Sequence, residues 1–176
     1  MIKKKGLLLV ISGPSGAGKG TVCKELLERN PEFKLSVSAT TRAPREGEVD
    51  GESYFFLTKE KFSEMIGQGG FLEYAQIYSN FYGTPKGPVM KYLEEGSDVI
   101  LEIEMQGARQ VKEMYPEAVL IFVLPPSLEE LRNRLTTRGT ETEEQVNERL
   151  STSLEEIKQV KDYNYFIFNE NNKTTE

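Results

Sequence analysis

The sequence contains no histidine, and Cys23 is its only cysteine. Without histidine, catalysis by a Ser-His-Asp triad or by an imidazole acid or base is excluded. A single cysteine cannot form an internal disulfide, and a zinc site built from cysteine and histidine lacks its ligands. These absences favour a protein of the reducing cytoplasm.

Basic side chains are too few for a broad anionic partner. The 22 lysines and arginines are outnumbered by 28 aspartates and glutamates, which gives a formal net charge of −6. Surfaces that bind nucleic acid or anionic membranes need an excess of lysine and arginine over a large area. We therefore expect neither nucleic acid nor membrane as a partner, and we expect any phosphate binding to be local.

Long apolar runs are also lacking. The lysines at positions 3–5 and the apolar residues 7–11 together imitate a signal peptide, but Gly13 and Pro14 soon end the run, which is only as long as a buried strand. No stretch approaches the roughly 20 apolar residues of a membrane helix. The sequence predicts a protein that stays in the cytoplasm.

Buried strands and helices alternate along much of the chain. Residues 7–11, 99–103 and 119–124 are apolar runs typical of strands that are covered on both faces. Each is followed by a helical stretch, the first at about residues 19–28. This alternation predicts an α/β fold with a parallel sheet flanked by helices. The length of 176 residues favours a single domain, 1–176.

Residues 36–91 interrupt this alternation. Short β-like pieces at 53–57 and 71–78 surround a helix near 59–68, among many glycines, tyrosines and threonines. We interpret the segment as an inserted mixed β/α subdomain.

Two amphipathic helices follow in the last third of the chain. The positions that mark them are Leu128, Leu131 and Leu135 in the first and Val146, Leu150, Leu154 and Ile157 in the second. Between them, residues 140–143 read Thr-Glu-Thr-Glu, the S/T-x-x-E form of a capping box. We therefore expect Thr140 to begin the second helix.

A glycine-rich loop follows the first strand and precedes the first helix. It fits the pattern G-x-x-x-x-G-K and comprises Gly13, Pro14, Ser15, Gly16, Ala17, Gly18, Lys19, Gly20 and Thr21. Glycines let successive N–H groups turn toward one centre, and the helix adds the positive end of its dipole, so the loop can cradle a polyphosphate such as ATP. Lys19 would reach the β- and γ-phosphates. The loop indicates a P-loop NTPase-type fold, but alone it does not distinguish a GTPase, an ATPase and a kinase.

The position after the lysine departs from the general pattern. Gly20 stands where a serine or threonine usually binds Mg²⁺, so Thr21 or bound water could take that role. Glu102 and Glu104 end a buried strand, where carboxylates can hold Mg²⁺ through water or contact the substrate. We therefore assign Thr21 and Glu102 as candidate metal positions. Alternatively, the two glutamates simply begin a solvated loop.

Two arginines lie close together in the inserted segment. Arg42 and Arg45 are three residues apart, with Pro44 between them and a row of hydroxyl residues at 36–41 before them. Guanidinium groups fit phosphate oxygens bidentately, so the pair could clamp a monophosphate. Surface arginines on a turn would give the same pattern.

Several motifs in order along the chain resemble those of the guanylate kinase family. These are residues 38–48, 50–56, 71–73, 82–84, 102–108 and 138–143, and together they cover nearly the whole chain. The resemblance implies a core of residues 1–35, 92–134 and 150–176, a GMP-binding subdomain at 36–91 and a helical lid at 135–149. It also implies that Mg²⁺ accompanies ATP.

The resemblance assigns roles to individual residues. It implies GMP binding by Ser38, Arg42, Arg45, Tyr54, Glu73, Tyr82, Thr84 and Glu104. The chemistry of guanine agrees, since a carboxylate such as Glu73 accepts from N1–H and N2–H₂ while a hydroxyl group of Ser38 or Thr84 can donate to O6. Adenine would leave these groups unpaired. Taken alone, Glu73 could equally be a strand carboxylate that faces water.

Further arginines are expected at the donor nucleotide. The resemblance implies that Arg138 and Arg149 are lid arginines, and that Arg134 and Asn169 bind ATP. Arg134 follows Glu130 by four residues, which also predicts a local ion pair. With Lys19 and Arg42, the two lid arginines are our candidate catalytic residues because they can stabilise the transferring phosphoryl group.

The resemblance implies a kinase that transfers the γ-phosphoryl group of ATP to GMP, and also to dGMP. No general base is needed, because the attacking oxygen belongs to a phosphate that is ionised at neutral pH. Two alternatives are a noncatalytic binding module with this fold and a kinase for another phosphorylated acceptor. A regulatory GTPase fits less well, because the candidate guanine site lies in the inserted segment rather than beside the phosphate loop.

Overall fold

A five-stranded parallel sheet forms the centre of the structure, a computed structural model that describes residues 5–137 and 142–170. The strand order is β2-β7-β1-β8-β9. The strands are β1 Leu8–Ser12, β2 Lys34–Leu35, β7 Val99–Glu102, β8 Val119–Leu124 and β9 Tyr165–Phe168. The predicted α/β fold with a parallel sheet flanked by helices is confirmed.

The central strand β1 is covered on both faces, as its apolar run predicted. It pairs with β7 from Leu8 opposite Val99, and with β8 from Leu9 opposite Val119. Val10 is fully buried in the larger part of the core, and Ile11 is fully buried in the part beneath the first helix. Burial of such side chains stabilises a fold by about 1.5–3 kcal/mol each, so this strand fixes the position of the loop that follows it.

Six α-helices lie in the described residues, and a short 3₁₀ helix, Lys158–Asp162, precedes β9. The α-helices are α1 Lys19–Arg29, α2 Lys59–Gly67, α3 Lys86–Glu95, α4 Met105–Met114, α5 Leu128–Thr137 and α6 Glu143–Ile157. The predicted helices at 19–28 and 59–68 are thus confirmed to within one residue at each end. Among the described residues, no helix combines the length and apolar character needed to cross a membrane.

The inserted segment forms a second, mixed sheet with the order β4-β3-β6-β5. Its strands are β3 Ala39–Thr40, β4 Phe55–Phe56, β5 Phe71–Ile77 and β6 Asn80–Pro85. A separate small core supports it, in which the rings of Phe62 and Phe71 stack with their centroids 4.4 Å apart. The mixed β/α character predicted for this segment is confirmed.

The buried positions of helices α5 and α6 agree only in part with the predicted apolar faces. Leu131, Leu135 and Val146 are buried together as expected, but Leu128 and Leu154 are exposed. The buried position in the last turns of α6 is Ser153 instead, one residue before Leu154. The predicted apolar faces were therefore right near the contact between the helices and wrong toward their outer ends.

The helix cap was predicted two residues too early. The side chain of Thr142 accepts a hydrogen bond from the Gln145 backbone N–H, and the Gln145 side chain accepts from the Thr142 backbone N–H. This reciprocal pair satisfies two N–H groups that an uncapped helix would leave unpaired. The cap is therefore Thr142 with Gln145, not Thr140 with Glu143, and Thr140 lies outside the described residues.

Candidate active site

The phosphate loop connects β1 to α1, as the sequence predicted. Gly16 and Gly18 adopt left-handed backbone conformations with φ of 86° and 89°, which glycine enters without steric cost. Gly18 precedes α1, and no side chain caps the first turn, which also contains no acidic residue. The N–H groups at this helix end therefore remain available to an anion, and the helix dipole favours negative charge there.

Lys19 is held at the opening of the phosphate loop. Its Nζ donates a hydrogen bond of 2.7 Å to the carbonyl oxygen of Gly13 and lies 3.6 Å from Oε1 of Glu104. Its side chain is only 11% exposed, whereas that of Glu104 is 55% exposed. The lysine charge therefore lies between the phosphate loop and Glu104, the residue that directly precedes α4.

Arg134 and Asn169 form a network of hydrogen bonds with the phosphate loop. Arg134 Nε donates to Glu130 at 2.9 Å, Nη1 to the Ala17 carbonyl at 3.2 Å and Nη2 to the Asn169 carbonyl at 3.0 Å. Asn169 Nδ2 donates to the same Ala17 carbonyl at 2.9 Å. The predicted ion pair of Arg134 with Glu130 is confirmed. Arg134 and Asn169, the two residues outside the loop that the resemblance assigns to ATP binding, therefore both contact the backbone of the phosphate loop.

One of the two lid arginines lies at the phosphate loop. Arg149 projects from α6, and its Nη2 donates to Oγ of Ser15 at 2.6 Å. The two residues are 134 positions apart in the chain, so the contact depends on how α6 packs. Arg138 lies outside the described residues.

Glu73 is a buried carboxylate in the inserted sheet. Glu73 is only 7% exposed, and its Oε1 accepts a hydrogen bond of 2.6 Å from the Thr84 hydroxyl on the neighbouring strand. The pairing of β5 with β6 shifts register between Phe71 and Glu73, which re-aims the strand at this point. Burial raises the pKa of Glu73 above its ordinary value, although the hydrogen bond from Thr84 opposes that shift.

Arg42 is oriented by a carboxylate that sequence reasoning did not assign to the site. Its Nη1 and Nη2 donate to the two carboxylate oxygens of Glu48 at 2.9 and 2.8 Å, and its guanidinium lies 5.5 Å from the centre of the Tyr54 ring. The Arg45 backbone N–H donates to Glu48 at 2.7 Å, while the Arg45 side chain is exposed. The hydrogen bond from Arg42 is the largest cause that lowers the pKa of Glu48 to about 2.

The other acceptor residues surround these two groups. The Tyr82 ring lies edge-on to the Tyr54 ring, with centroids 6.2 Å apart. Ser38 is half-buried just before β3, and its carbonyl accepts from the backbone N–H of Phe55 at 2.9 Å. The fold therefore brings most of the predicted acceptor residues onto or beside the inserted sheet, whereas Glu104 lies at the start of α4.

Glu102 ends β7 beside the phosphate loop. A β-carbon added at Gly20 would lie 3.5 Å from Glu102 Oε1, so this carboxylate borders the space that a Gly20 side chain would enter. Although Glu102 remains open to solvent through the cleft, its partial enclosure raises its pKa, and Lys19 opposes that shift. Cys23 lies next to it, and burial raises the pKa of this thiol to about 12, as expected for an unreactive core cysteine.

A carboxylate in this position suits a hard cation such as Mg²⁺. Among the described residues, no three potential histidine, cysteine, aspartate or glutamate ligands cluster together. Magnesium usually retains several waters and takes one or two protein carboxylates together with substrate phosphates. Glu102, with the exposed Thr21 nearby on α1, fits that mode of binding better than a cage made only of protein ligands.

The phosphate loop and the glutamates face one cleft of about 770 Å³. Its lining includes Lys19, Thr21, Glu102, Glu104 and Arg134. Glu104 is ion-paired with Lys19, and its charge also contributes to the raised pKa of Glu73. Glu104 directly precedes α4, and Gly107 in the first turn of that helix lies against the Glu73 carboxylate.

Comparisons with known proteins agree with this geometry. The sequence model of the family described as guanylate kinase matches residues 5–175. A guanylate kinase of Clostridioides difficile is 70% identical over 175 residues, which are 99% of this chain and 85% of that protein. A guanylate kinase of Caldanaerobacter subterraneus is 59% identical over 169 residues, 96% of this chain and 82% of that protein.

A solved structure is similar over nearly the whole chain. The crystal structure of guanylate kinase from Anaplasma phagocytophilum superposes with a TM-score of 0.75 at 36% identity, and the match covers 96% of this chain and 79% of that one. With a phosphate loop after the first strand, a buried carboxylate on an inserted sheet, and relatives matched over almost its full length, this chain belongs to the guanylate kinase family.

Proposed function

We infer that this chain transfers the γ-phosphoryl group of ATP to GMP and so forms ADP and GDP. Membership of the guanylate kinase family supports this reaction. The structural observation that carries it is the buried Glu73–Thr84 pair, which lies against the first turn of α4, while Glu104 at the start of that helix is ion-paired with the lysine of the phosphate loop. A guanine-selective group and a polyphosphate-binding group then belong to one site.

Guanine recognition is assigned to the carboxylate of Glu73. The ionised group accepts hydrogen bonds from guanine N1–H and N2–H₂, whereas adenine offers an acceptor at N1 and no 2-amino group. Thr84 donates its single hydroxyl proton to Glu73, so it positions the carboxylate rather than donating to the base. That leaves the Ser38 hydroxyl as the proposed donor to guanine O6.

The phosphate of GMP is assigned to the arginine and tyrosine cluster. Glu48 fixes the guanidinium plane of Arg42, and the rings of Tyr54 and Tyr82 lie edge to face nearby. We assign Arg45, Tyr54 and Tyr82 as further donors to the phosphate. A pre-oriented cluster reduces the entropy lost when the acceptor phosphate binds. dGMP keeps both the guanine and the phosphate, so we propose that it is also a substrate.

Phosphoryl transfer itself needs alignment and charge stabilisation. The backbone N–H groups of the loop and Lys19 bind the phosphates of ATP, while Arg149 at Ser15 is placed to stabilise charge on the transferring group. We assign Arg138 the same role from the resemblance. When bound with ATP, Mg²⁺ neutralises negative charge on phosphate oxygens, and Glu102 and Thr21 are the residues proposed to hold it, directly or through water.

Two assignments concern the molecule as a whole. We propose one domain, with residues 36–91 as the subdomain that carries GMP and residues 135–149 as a lid that excludes water during transfer. We also propose that the protein acts in the cytoplasm, where ATP and GMP are available and a single thiol stays reduced. Its proposed partners are these two nucleotides, and its excess of acidic residues disfavours nucleic acid.

A coupled assay of ADP formation tests the proposal. ATP and Mg²⁺ are supplied with GMP, dGMP, AMP, CMP or UMP, and Lys19→Ala and Glu73→Ala are compared with Lys24→Ala and Glu60→Ala as surface controls. We expect strong turnover with GMP that is lost in Lys19→Ala, greatly reduced in Glu73→Ala and retained in both controls. A folded wild-type protein without GMP-dependent turnover would refute the proposal.

A further inference from the structure

Gly107 lies against the buried carboxylate of Glu73. It is the third residue of α4 and is itself buried. A β-carbon added at this position would lie 2.5 Å from Glu73 Oε2, 3.0 Å from Cδ and 3.2 Å from Cγ. Ordinary contacts of a β-carbon begin at 3.4 Å, so any residue other than glycine would overlap the carboxylate where it now lies.

Gln110 holds the residue that follows Glu73. It lies one turn after Gly107 on the same face of α4. Its Oε1 accepts from the Tyr74 backbone N–H at 3.2 Å, and its Nε2 donates to the Tyr74 carbonyl at 3.0 Å. The side-chain amide thus pairs with the backbone of β5 as a neighbouring strand would. These two hydrogen bonds fix the position of β5 relative to α4.

The contact between α4 and β5 has little room to adjust. Ala108 and Val111 on α4 and Leu72 on β5 belong to the main hydrophobic core and are at most 1% exposed. Moving α4 away from β5 would separate these close-packed side chains and open a cavity between them, which is costly in a well-packed core. The flexible end of Glu73 would move instead.

We propose that Gly107 and Gln110 are positioning residues that set where the Glu73 carboxylate meets the guanine base, and that Gly107 does so because it has no side chain. This inference rests on the proposed function, in which Glu73 binds guanine. Relief of the overlap requires the carboxylate to shift by about 1 Å, a misplacement that can cost an enzyme about 100-fold in rate.

The test uses Gly107→Ala, with Gly87→Ala as the matched control. Gly87 is also helical, and a β-carbon there meets nothing within 4 Å. The acceptors are GMP and inosine monophosphate, which lacks the 2-amino group. In Gly107→Ala we expect kcat/KM for GMP to fall about 10- to 100-fold, the KM for ATP to stay unchanged, and the preference for GMP over inosine monophosphate to fall about tenfold. Gly87→Ala keeps wild-type values.

A second pair of variants separates positioning from general damage. In a Glu73→Ala background the carboxylate is gone, so we expect Gly107→Ala to cause less than a twofold further loss in kcat/KM. Gln110→Ala should raise the KM for GMP several-fold without changing that for ATP, and it keeps the inference testable if Gly107→Ala does not fold.

The possible failures are distinguishable. If the wild type does not phosphorylate GMP, the proposed function fails and this inference fails with it. If the wild type phosphorylates GMP while Gly107→Ala and Gln110→Ala both behave like Gly87→Ala, the proposed function stands and the positioning role is wrong. An equal loss from Gly107→Ala with and without the Glu73 carboxylate would also overturn it.

Discussion

Replacing Thr84 by valine removes one hydroxyl group and leaves the shape of the side chain almost unchanged. In the structure, that hydroxyl donates to the buried Glu73 carboxylate at 2.6 Å. A hydrogen bond to a charged group contributes about 1.5–3 kcal/mol, and loss of the donor leaves a buried charge without its neutral partner. We therefore expect Thr84→Val to be destabilised by about 2 kcal/mol at neutral pH, which lowers Tm by about 4–8 °C for a chain of this length.

The same substitution should change the pH dependence in a defined direction. The hydrogen bond from Thr84 lowers the pKa of Glu73, so its removal raises that pKa beyond the rise that burial already causes. Guanine binding requires the ionised carboxylate, so the acidic limb of the kcat/KM profile for GMP should move to higher pH. Protonated Glu73 does not need the charge-assisted bond, so the loss of stability should shrink as the pH falls.

Unfolding by denaturant at several pH values, combined with kcat/KM profiles for GMP, measures both effects. Thr152→Val is the matched control, because Thr152 is exposed on α6 and its hydroxyl donates to the Glu148 carbonyl within the same helix. An acidic limb at the same pH in wild type and Thr84→Val, together with equal stabilities, would refute the reasoning about this hydrogen bond.

Three further outcomes follow from other contacts. The hydrogen bond from Arg42 lowers the pKa of Glu48 to about 2, so this pair stabilises the fold fully above pH 4.5, the ordinary pKa of the carboxyl group in the unfolded chain. That stability is lost as the pH falls toward 2. The difference in Tm between wild type and Glu48→Gln should therefore disappear over that interval. Gly20→Ser should fold and stay active, since the nearest atom to the new β-carbon is Glu102 Oε1 at 3.5 Å, and thermal unfolding with an activity assay would check this. Thr142→Ala should lose about 1 kcal/mol of stability in denaturant titration, because it removes the side-chain cap of α6.

The sequence was a good guide wherever a local pattern decides the structure. The apolar run before the phosphate loop, the glycines within it and the helix after it are consecutive, so their arrangement follows from chain connectivity and backbone sterics. The strands at 99–103 and 119–124 were recognisable because burial on both faces leaves them continuously apolar.

The contacts that determine the geometry of the site could not be predicted from the sequence as well as these elements could. Ala17 accepts from Asn169, which is 152 positions away, and no sequence periodicity encodes that distance. Glu48 lies six residues from Arg42 in a loop, which matches no regular spacing of side-chain pairs. The close approach of Gly107 to Glu73 depends on how α4 packs against β5, and tertiary packing of this kind leaves no local signal in the sequence.

The most direct test of the account is to follow the γ-phosphoryl group of ATP. Wild-type protein is incubated with Mg²⁺, GMP and ATP that is isotopically labelled in the γ-phosphoryl group, and the products are separated and quantified. The account predicts ADP and GDP in equal amounts, with the label in the β-phosphoryl group of GDP. Label recovered only as inorganic phosphate, or ATP consumption that does not depend on GMP, would contradict it.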